Sequence, residues 1–397
     1  MTTNVKIYRS TDPGAAAYTI YGNVPGSTGG AGGWIGVLRA CLVNGYGSKT
    51  ASSATSASTI VTFTSTAHGF IVGQCLLLAG ATGESATPIN GERYVTATTP
   101  DTFTFVAPGH ADGATEGAIT AKVAPAGWTE PYTPSTTNIS CFKQGGGNGF
   151  YFNIDETAVQ LSRVVGFESM AACNVTNGTA AFPTNTQFPG GLYWNRSEAS
   201  STATRAWIII ATDRHLYLHI NATNSTSTTV NDSMLAGMID LKSYRTSDGF
   251  ATLMMGGASA TITTNSIGMT TITSPATSIV GHFITRPYTQ IGSSTMAGKN
   301  AIDSIKGTGV NLASAPSYGF PCPVDNGLWM SKIRAYDTTS GVPRGELPGL
   351  WDPMHLRPLV HLDTLAGSGD LAGKTFITLS GYPAAQCFIE TSNTWSI

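Results

Sequence analysis

The chain has 397 residues, which suggests two or three domains and is enough to bury a large core without disulfides or metals. Only 11% of the residues are charged, about half the usual share, and 21 basic against 23 acidic residues leave a net charge of −2. This balance excludes nucleic-acid binding through a basic surface, because neutralising phosphates requires clustered lysine and arginine. A weakly charged surface rich in Ser, Thr, Asn and Gly suits a protein that packs against copies of itself.

Neither an export signal nor a membrane anchor is predicted. Residues 1–14 contain no apolar segment, and the longest apolar run, Ala206–Ala211, is far shorter than the about 20 residues of a spanning helix. The six cysteines are scattered without a CxxC pair, which disfavours a disulfide framework and a zinc site. We interpret them as buried thiols of a protein made in a reducing cytosol.

The first predicted element is one short helix. Apolar residues recur at helical spacing from Trp34 to Val43, after glycines at 29–33 and before Gly45. The next segment, about 51–121, is rich in Ser, Thr and Ala, with predicted strands at Thr59–Thr64 and within Tyr94–Phe105. Its short strands and Gly-containing turns predict a small β-barrel or an immunoglobulin-like module. The pattern also resembles a β-module found appended to bacteriophage virion proteins.

The rest of the chain is also predominantly β in pattern. Arg205–Asn221 consists of two β-rich runs around Thr212-Asp213-Arg214, which predicts a hairpin with Asp in the turn. Further strands are predicted at Ala260–Thr273 and Lys374–Leu379. Pro343–Pro353 is interpreted as a long turning loop, because Pro348-Gly349 is a strong turn signal.

Several motifs combine residues that could perform chemistry. Gly145–Gly149 could approach a phosphate, but a strand rather than a helix follows it, so a hairpin loop is favoured. His215 and His219 share one face of a strand, and a second group of possible metal ligands surrounds two prolines. That group comprises Asp352, His355, His361 and Asp363. Hydrogen-bonded or solvated histidines are the preferred interpretation in both places, because a metal site needs three or four converging ligands.

Paired carboxylates of a glycosidase could come from Asp155, Glu156 or Asp240, but the sequence does not bring them together. We therefore predict a protein that is not an enzyme. No catalytic, cofactor-binding or metal-binding residue is assigned, and no cofactor is expected.

A set of motifs on both sides of the Ser/Thr-rich segment carries a second resemblance. The motifs are Ser10–Gly14, Ala40–Lys49, Ala126–Thr129, Phe142–Tyr151, Gly190–Trp194, Arg344–His355, Leu371–Ile377 and Ile389–Ser392. Together they resemble a family of virion structural proteins of tailed bacteriophages. In that family the lysine equivalent to Lys49 is normally followed within a few residues by Gly-Trp, whereas here Trp128 lies beyond the whole segment. The large aromatics of these motifs, Tyr46, Trp128, Trp194 and Trp351, are expected to be core anchors.

These observations predict a mainly β chain with two parts. Residues 1–49 and 123–397 would form a discontinuous core domain in which the short helix packs on a sheet, and residues 50–122 would form an inserted small β-module. The resemblance implies a virion structural protein that is assembled in the host cytoplasm as a symmetric oligomer, in contact with capsid, neck or tail subunits. The alternative is a fibre or baseplate protein that adsorbs to a host surface glycan. Neither interpretation involves nucleic acid or membrane.

Overall fold

The structure is a computed structural model that describes residues 2–21, 33–134, 136–222, 233–257, 280–301, 320–322, 324–353, 355, 359–381, 385–392 and 394–396. The mainly β prediction is confirmed, since 48% of the chain is strand and 9% is helical. The strands are β1 (Thr2–Asn4), β2 (Lys6–Arg9), β3 (Tyr46–Thr50), β4 (Ser53–Ala57), β5 (Ile60–Thr64), β6 (Cys75–Ala81), β7 (Gly91–Tyr94), β8 (Ala97–Thr98), β9 (Thr102–Val106), β10 (Gly113–Ala114), β11 (Gly117–Val123), β12 (Ile139–Lys143), β13 (Tyr151–Asp155), β14 (Leu161–Met170), β15 (Gly178–Phe182), β16 (Leu192–Asn195), β17 (Trp207–Ala211), β18 (His215–Asn221), β19 (Ser233–Asp240), β20 (Lys242–Ser243), β21 (Thr252–Gly257), β22 (Val280–Ile284), β23 (Thr295–Ala301), β24 (Met330–Asp337), β25 (Pro343–Pro353), β26 (Thr364–Ala366), β27 (Thr375–Gly381), β28 (Ala385–Glu390) and β29 (Thr394–Ser396).

The predicted helix is confirmed. It begins as α1 (Trp34–Leu38), whose five residues are all buried, and continues as a π-helical turn through Arg39–Asn44. Gly45 ends it with φ of +70°, and its N–H donates to the carbonyl of Ala40 at 2.8 Å. A left-handed φ suits glycine because it has no Cβ to clash with the preceding carbonyl. A second helical turn, α2 (Ala86–Ile89), lies before β7, and no helix in the described ranges is long and apolar enough to cross a membrane.

The Ser/Thr-rich segment folds into two antiparallel sheets. Their strand orders are β10-β4-β5-β9-β8 and β3-β11-β6-β7, and no closed barrel is found among the described residues. Within β5 and β9 every second residue is buried, and the rings of Phe63 and Phe103 stack at 4.6 Å between centroids. The threonines between the buried residues are less buried. Side chains that alternate along each strand therefore separate a packed face from a more solvent-exposed face.

The module begins and ends in neighbouring strands. β3 and β11 pair with Thr50 opposite Thr120, so the chain leaves and re-enters the core at one place. Contacts join the module to the N-terminal segment: Lys6 forms an ion pair with Glu92 at 2.5 Å, and the hydroxyl of Tyr94 donates to the carbonyl of Val5 at 3.1 Å. The insertion boundaries at 50 and 122 stay a prediction, and these contacts are what a deletion would remove.

A central antiparallel sheet is buried on both faces. It runs β2-β17-β18-β19-β21-β22, and the predicted hairpin around residues 212–214 is its β17–β18 connection. Ile208 and Ile210 pack in one hydrophobic cluster, whereas Ile209 and Ala211 pack in the other. Full burial of an isoleucine contributes about 1.5–3 kcal/mol, so each face is a separate stabilising layer. The predicted core anchor Trp194 packs in the same cluster as Ile209.

Each face of the central sheet has its own cover. The helix, the module and strands β12–β16 supply side chains to the first cluster, and strands β23–β25, β27 and β28 supply side chains to the second. The other predicted anchors are also buried: Tyr46 and Trp128 in the first cluster, and Trp351 in a small cluster with Phe376 and Phe388. All six cysteines are free and buried, which confirms their interpretation as buried thiols.

The predicted turn at Pro348-Gly349 is wrong. β25 runs without interruption from Pro343 to Pro353, and the turn residues form a bulge within it. Its partner β24 pairs Arg334 with Glu346 and Lys332 with Trp351, so the four residues 347–350 lie opposite one residue. Gly349 has φ of +73°, and a Cβ there would lie 2.3 Å from the Trp395 ring. A turn signal therefore becomes a strand bulge because tertiary packing holds both of its ends.

Two predicted features fall outside the described residues. These are the alternating strand at Ala260–Thr273 and the glycines at positions 29–32, before the helix.

Candidate functional site

A concave cleft of about 500 Å³ lies on the outer face of strands β13, β14 and β15. Alternation along β13 creates its floor: Phe152 and Ile154 point into the first core cluster, while Asn153 and Asp155 line the cleft. Val165 and Phe167 of β14 continue the floor. The volume lies within the range of about 300–1,000 Å³ that is usual for small-molecule sites.

One wall of the cleft is the loop between β15 and β16. Phe188 of this loop lines the cleft, and the backbone closes onto β14 through Gly190 and Gly191, which have φ of +75° and +87°. A Cβ on Gly191 would lie 2.4 Å from the carbonyl oxygen of Val164, so only glycine allows this approach. The loop is therefore held close to the sheet rather than projecting from it.

Arg163 fastens this wall to the floor. Its guanidinium lies 3.8 Å from the centroid of the Tyr193 ring, while its Nε donates to the carbonyl of Gly190 at 3.0 Å and an Nη donates to the carbonyl of Pro189. The strand register places Arg163 directly between Asp155 and Tyr193 on neighbouring strands. Stacking and two hydrogen bonds fix the guanidinium, so the cleft is preformed.

The cleft contains a buried polar side chain whose amide nitrogen has no partner in the described part of the chain. Asn153 is only 2% exposed, and its Nδ2 has no hydrogen-bond partner among the described residues. Asp155 accepts from the backbone N–H of Thr157 through Oδ1 at 2.8 Å, and Asn185 accepts from Gly190 N–H at 3.0 Å. Buried amide groups are normally paired, so the state of Asn153 marks a place for a ligand or water.

Two other candidate carboxylates serve the fold. Glu156 accepts from the N–H groups of Trp34 and Ile35 at 2.6 and 3.3 Å, at the start of the helix. Asp240 accepts from Gln144 Nε2 at 2.9 Å and from Thr252 Oγ1 at 2.7 Å. Burial raises the pKa of both carboxyls, and these hydrogen bonds act in the opposite direction. Their hydrogen-bond partners differ from those of Asp155, so each of the three carboxylates serves a different contact.

The glycine-rich loop closes over a protein carboxylate. It connects β12 to β13 as predicted, and the N–H of Asn148 donates to Asp240 Oδ2 at 3.1 Å. Gly147 has φ of +62°, and a Cβ there would lie 1.9 Å from the same oxygen. Because these glycines have no side chains, the backbone of the loop can lie close to the Asp240 carboxylate. The hairpin interpretation is confirmed, and its physical reason lies 92 residues away in the chain.

The paired histidines share a strand face, as alternation predicts, but they have separate environments. His215 has both ring nitrogens in hydrogen bonds, to Thr212 Oγ1 at 2.8 Å and to the carbonyl of Asp240 at 3.0 Å. The ring of His219 lies 5.0 Å from that of His361, a residue of the second predicted group. Burial lowers the pKa of His215 and His219 to about 3 and that of His361 to about 4. These histidines are therefore neutral at pH 7.

The rest of the second group is dispersed. His355 accepts from the N–H of Trp329 at 2.9 Å, Asp363 accepts from the N–H of Val360 at 3.0 Å, and Asp352 is buried on β25. Among the described residues, no three His, Cys, Asp or Glu side chains are placed together to hold a metal ion. The residues of this group are close in sequence but do not converge on one site in the structure.

Sequence reasoning did not identify the cleft. One signal was available, because Asn153 and Asp155 alternate with Phe152 and Ile154 on a strand flanked by aromatic residues. The loop and the stacked Arg163 could not be placed, since both depend on tertiary packing. No protein-family model matches the chain, and no curated protein is significantly similar to it.

Proposed function

We propose that the chain is a non-enzymatic structural protein of a tailed-bacteriophage particle, assembled in the host cytoplasm as a symmetric oligomer. The proposal starts from the sequence resemblance. The observation that carries the self-association is an exposed apolar patch on two adjoining loops, which we call the tyrosine patch. It consists of Tyr244, Tyr288 and Ile291, which are 50%, 40% and 78% exposed.

The tyrosine patch is held rigidly from beneath. Arg245 donates to the carbonyl of Tyr288 at 2.5 Å and lies 5.4 Å from the centroid of its ring. Asp248 accepts a hydrogen bond from Gln290 Nε2 at 3.0 Å and forms a fully buried ion pair with Arg344 at 2.9 Å. A fixed surface with exposed tyrosines is a good docking surface, because little side-chain entropy is lost when it is covered. Repetition around a ring would add avidity to a weak single contact.

The proposal that the protein is not an enzyme is supported by the structural roles of its buried carboxylate and histidine side chains. Glu156 caps the helix, Asp240 supports the glycine loop, and His215 bridges two strands. Each is committed to backbone or side-chain partners within the fold. These roles support a structural protein, whose buried polar groups hold strands together.

Light scattering coupled to size-exclusion chromatography tests the self-association. We expect a defined oligomer at micromolar concentration. Tyr288→Ser and Ile291→Ser should each weaken it by roughly thirtyfold, since a central apolar anchor contributes about 2 kcal/mol. Val72→Ser is the matched control, because Val72 is 60% exposed but lies in the module. A monomer at every concentration, or equal effects of the patch and control variants, would contradict the proposal.

Immunogold microscopy of purified particles tests the location, with an antibody against residues 50–122. Label on the head or at the head–tail junction would support a structural role. Label at the distal tail end would favour the adsorption function instead. Particles that lack the chain by mass spectrometry would refute both.

Host adsorption is kept as the second candidate because of the cleft. A concave site with an unpaired amide and aromatic walls is suited to a small polar ligand. Self-association through the tyrosine patch does not require such a cleft.

A further inference from the structure

We propose that the cleft on β13–β15 is a binding site for a neutral sugar, a hexopyranose or a disaccharide that presents one hexopyranose ring. This inference deepens the second candidate function by naming its site and ligand class. It does not depend on self-assembly, because the cleft lies on β13–β15 and the loop before β16, whereas the tyrosine patch is formed by other loops.

The first step is the unused amide of Asn153. Its Nδ2 carries two hydrogen donors, is buried and has no protein partner among the described residues. In the free protein a water molecule can occupy this position, and a sugar hydroxyl that replaces the water regains its hydrogen bond. The ligand must therefore bring an acceptor oxygen to the floor of the cleft.

The second step is a complementary acceptor on the same strand. Asp155 lies two residues from Asn153 and faces the same side, and its Oδ1 is already used by Thr157. Within the described ranges the second carboxylate oxygen has no hydrogen-bond donor, so it can accept from a ligand hydroxyl. A donor from Asn153 and an acceptor from Asp155, spaced along one strand, match adjacent hydroxyl groups, because each hydroxyl both donates and accepts.

The third step is the charge of the lining. Asp155 and Arg163 are the ionised residues that line the cleft, and their charges cancel. Arg163 already donates to two loop carbonyls and stacks on Tyr193, so it is not free to clamp an acidic group in two-pronged fashion. A neutral ligand fits this balance better than a carboxylate or a phosphate.

The fourth step is the apolar surface. Phe167 lies on the floor and Phe188 on the wall, and the Phe188 ring is held edge-on to Tyr193 at 6.0 Å between centroids. A hexopyranose ring has one face made mainly of C–H groups, which packs against an aromatic ring while its hydroxyls reach polar groups at the edge. Aromatic wall and polar floor therefore select a hydroxyl-rich ring rather than a purely apolar ligand.

Saturation-transfer NMR and calorimetry test the inference on the full chain. The probes are the methyl glycosides of glucose, galactose, mannose and N-acetylglucosamine, with N-acetylneuraminic acid as the acidic comparison. We expect at least one neutral glycoside to bind with a dissociation constant of about 1 mM, and the acidic sugar to bind more weakly. Preferred binding of the acidic sugar, or no binding of any neutral glycoside, would overturn the proposal.

Two variants locate the binding. Asp155→Asn and Asn153→Ala should each reduce affinity about tenfold or more, the usual effect of removing a hydrogen bond to a polar ligand. Asp155→Asn keeps Oδ1 for Thr157 and so should preserve the fold. The matched controls lie away from the cleft. Asp112→Asn changes an exposed carboxylate that also accepts a backbone N–H, and Asn195→Ala changes a buried amide whose side chain has no hydrogen-bond partner among the described residues.

Unchanged affinity in both cleft variants, with folded circular dichroism spectra, would place the sugar elsewhere and overturn the assignment. The oligomeric state is measured on the same samples by light scattering. Sugar binding by a monomer would leave this inference standing while the self-assembly proposal fails, and an oligomer that binds no sugar would give the reverse.

Discussion

The central sheet and the Ser/Thr-rich module are both antiparallel β-structures, yet they use polar residues in opposite ways. In the central sheet, β17 and β18 are buried at every position, and polar residues such as His215 and Thr212 are fully enclosed. In the module, β5 and β9 alternate, and threonines such as Thr104 lie on the wetter face. The number of covered faces, rather than strand direction, sets the sequence pattern.

The difference has an energetic consequence. When a polar side chain on an exposed face is removed, water can hydrogen-bond to its former partner, so little free energy of unfolding is lost. When a polar side chain in a sheet that is covered on both faces is removed, its former partners stay buried without a hydrogen bond. We therefore expect polar substitutions to discriminate the two regions sharply, although both are sheets with similar hydrogen-bond ladders.

Removing the module is the largest test of this comparison. We would delete residues 51–119 and join Thr50 to Thr120 by Asn-Gly, because these residues are opposite each other and Asn-Gly closes a two-residue hairpin. The core should keep its fold and lose about 5 kcal/mol, if roughly 200 Å² of apolar surface around Tyr8 becomes exposed. Near-ultraviolet circular dichroism and thermal unfolding would measure this. An unfolded product would refute the insertion.

Asp240 gives the next largest effect. Asp240→Ala would leave the donors of Gln144, Asn148 and Thr252 unpaired, so we expect a loss of about 4 kcal/mol in the free energy of unfolding. The control is Asp112→Ala in the module, where an exposed carboxylate accepts from Ser58 N–H, with an expected loss below about 1 kcal/mol. Urea unfolding measures both. Equal losses would mean that burial does not distinguish the two carboxylates.

Acid should destabilise the central sheet through its buried histidines. Burial lowers the folded-state pKa of His215 and His219 to about 3, below the unfolded value of about 6.5, so their contribution is complete above pH 6.5 and is lost as the pH falls towards 3. Each histidine should remove about 2 kcal/mol between pH 6.5 and pH 5. Burial raises the folded-state pKa of Asp240 and Glu156, so protonation of these carboxyls as the pH falls opposes this loss.

Urea unfolding at a series of pH values would measure this dependence. His215→Asn should reduce the slope of stability against pH by about 1.4 kcal/mol per pH unit, because one protonation is removed. Stability that stays constant from pH 7 to pH 5 would contradict the lowered pKa values.

A pair of threonines gives the smallest effect. Thr212 is fully buried, and its Oγ1 is 2.8 Å from His215 Nδ1, so Thr212→Val should cost about 2 kcal/mol. Thr96 in the module is exposed, and its Oγ1 is 2.8 Å from that of Thr104 on a neighbouring segment. Thr96→Val should change stability by less than about 0.5 kcal/mol. Thermal unfolding would measure the two variants, and a larger loss for Thr96→Val would invert the comparison.

Much of the fold was accessible from local pattern. The helix after the glycines, the β17–β18 hairpin and the strands of the module depend on spacing and turn chemistry, which are properties of neighbouring residues. Pro348-Gly349 was misinterpreted because a local turn signal carries no information about the strands that hold its ends.

The candidate site was accessible only in part. Alternation placed His215 with His219 and could have placed Asn153 with Asp155. Nothing local, however, could bring His361 next to His219 or place the Phe188 wall over β14.

The sequence by itself determined the β class, the hairpin around residues 212–214 and the residues that share one face of a strand, since these follow from short-range sterics and hydrophobic periodicity. Only the tertiary structure decided which faces are covered, which turn signal became a bulge and which polar side chain was left unpaired in a cleft. Those outcomes depend on contacts between residues far apart in the chain, such as Gly147 with Asp240, and no local pattern encodes them.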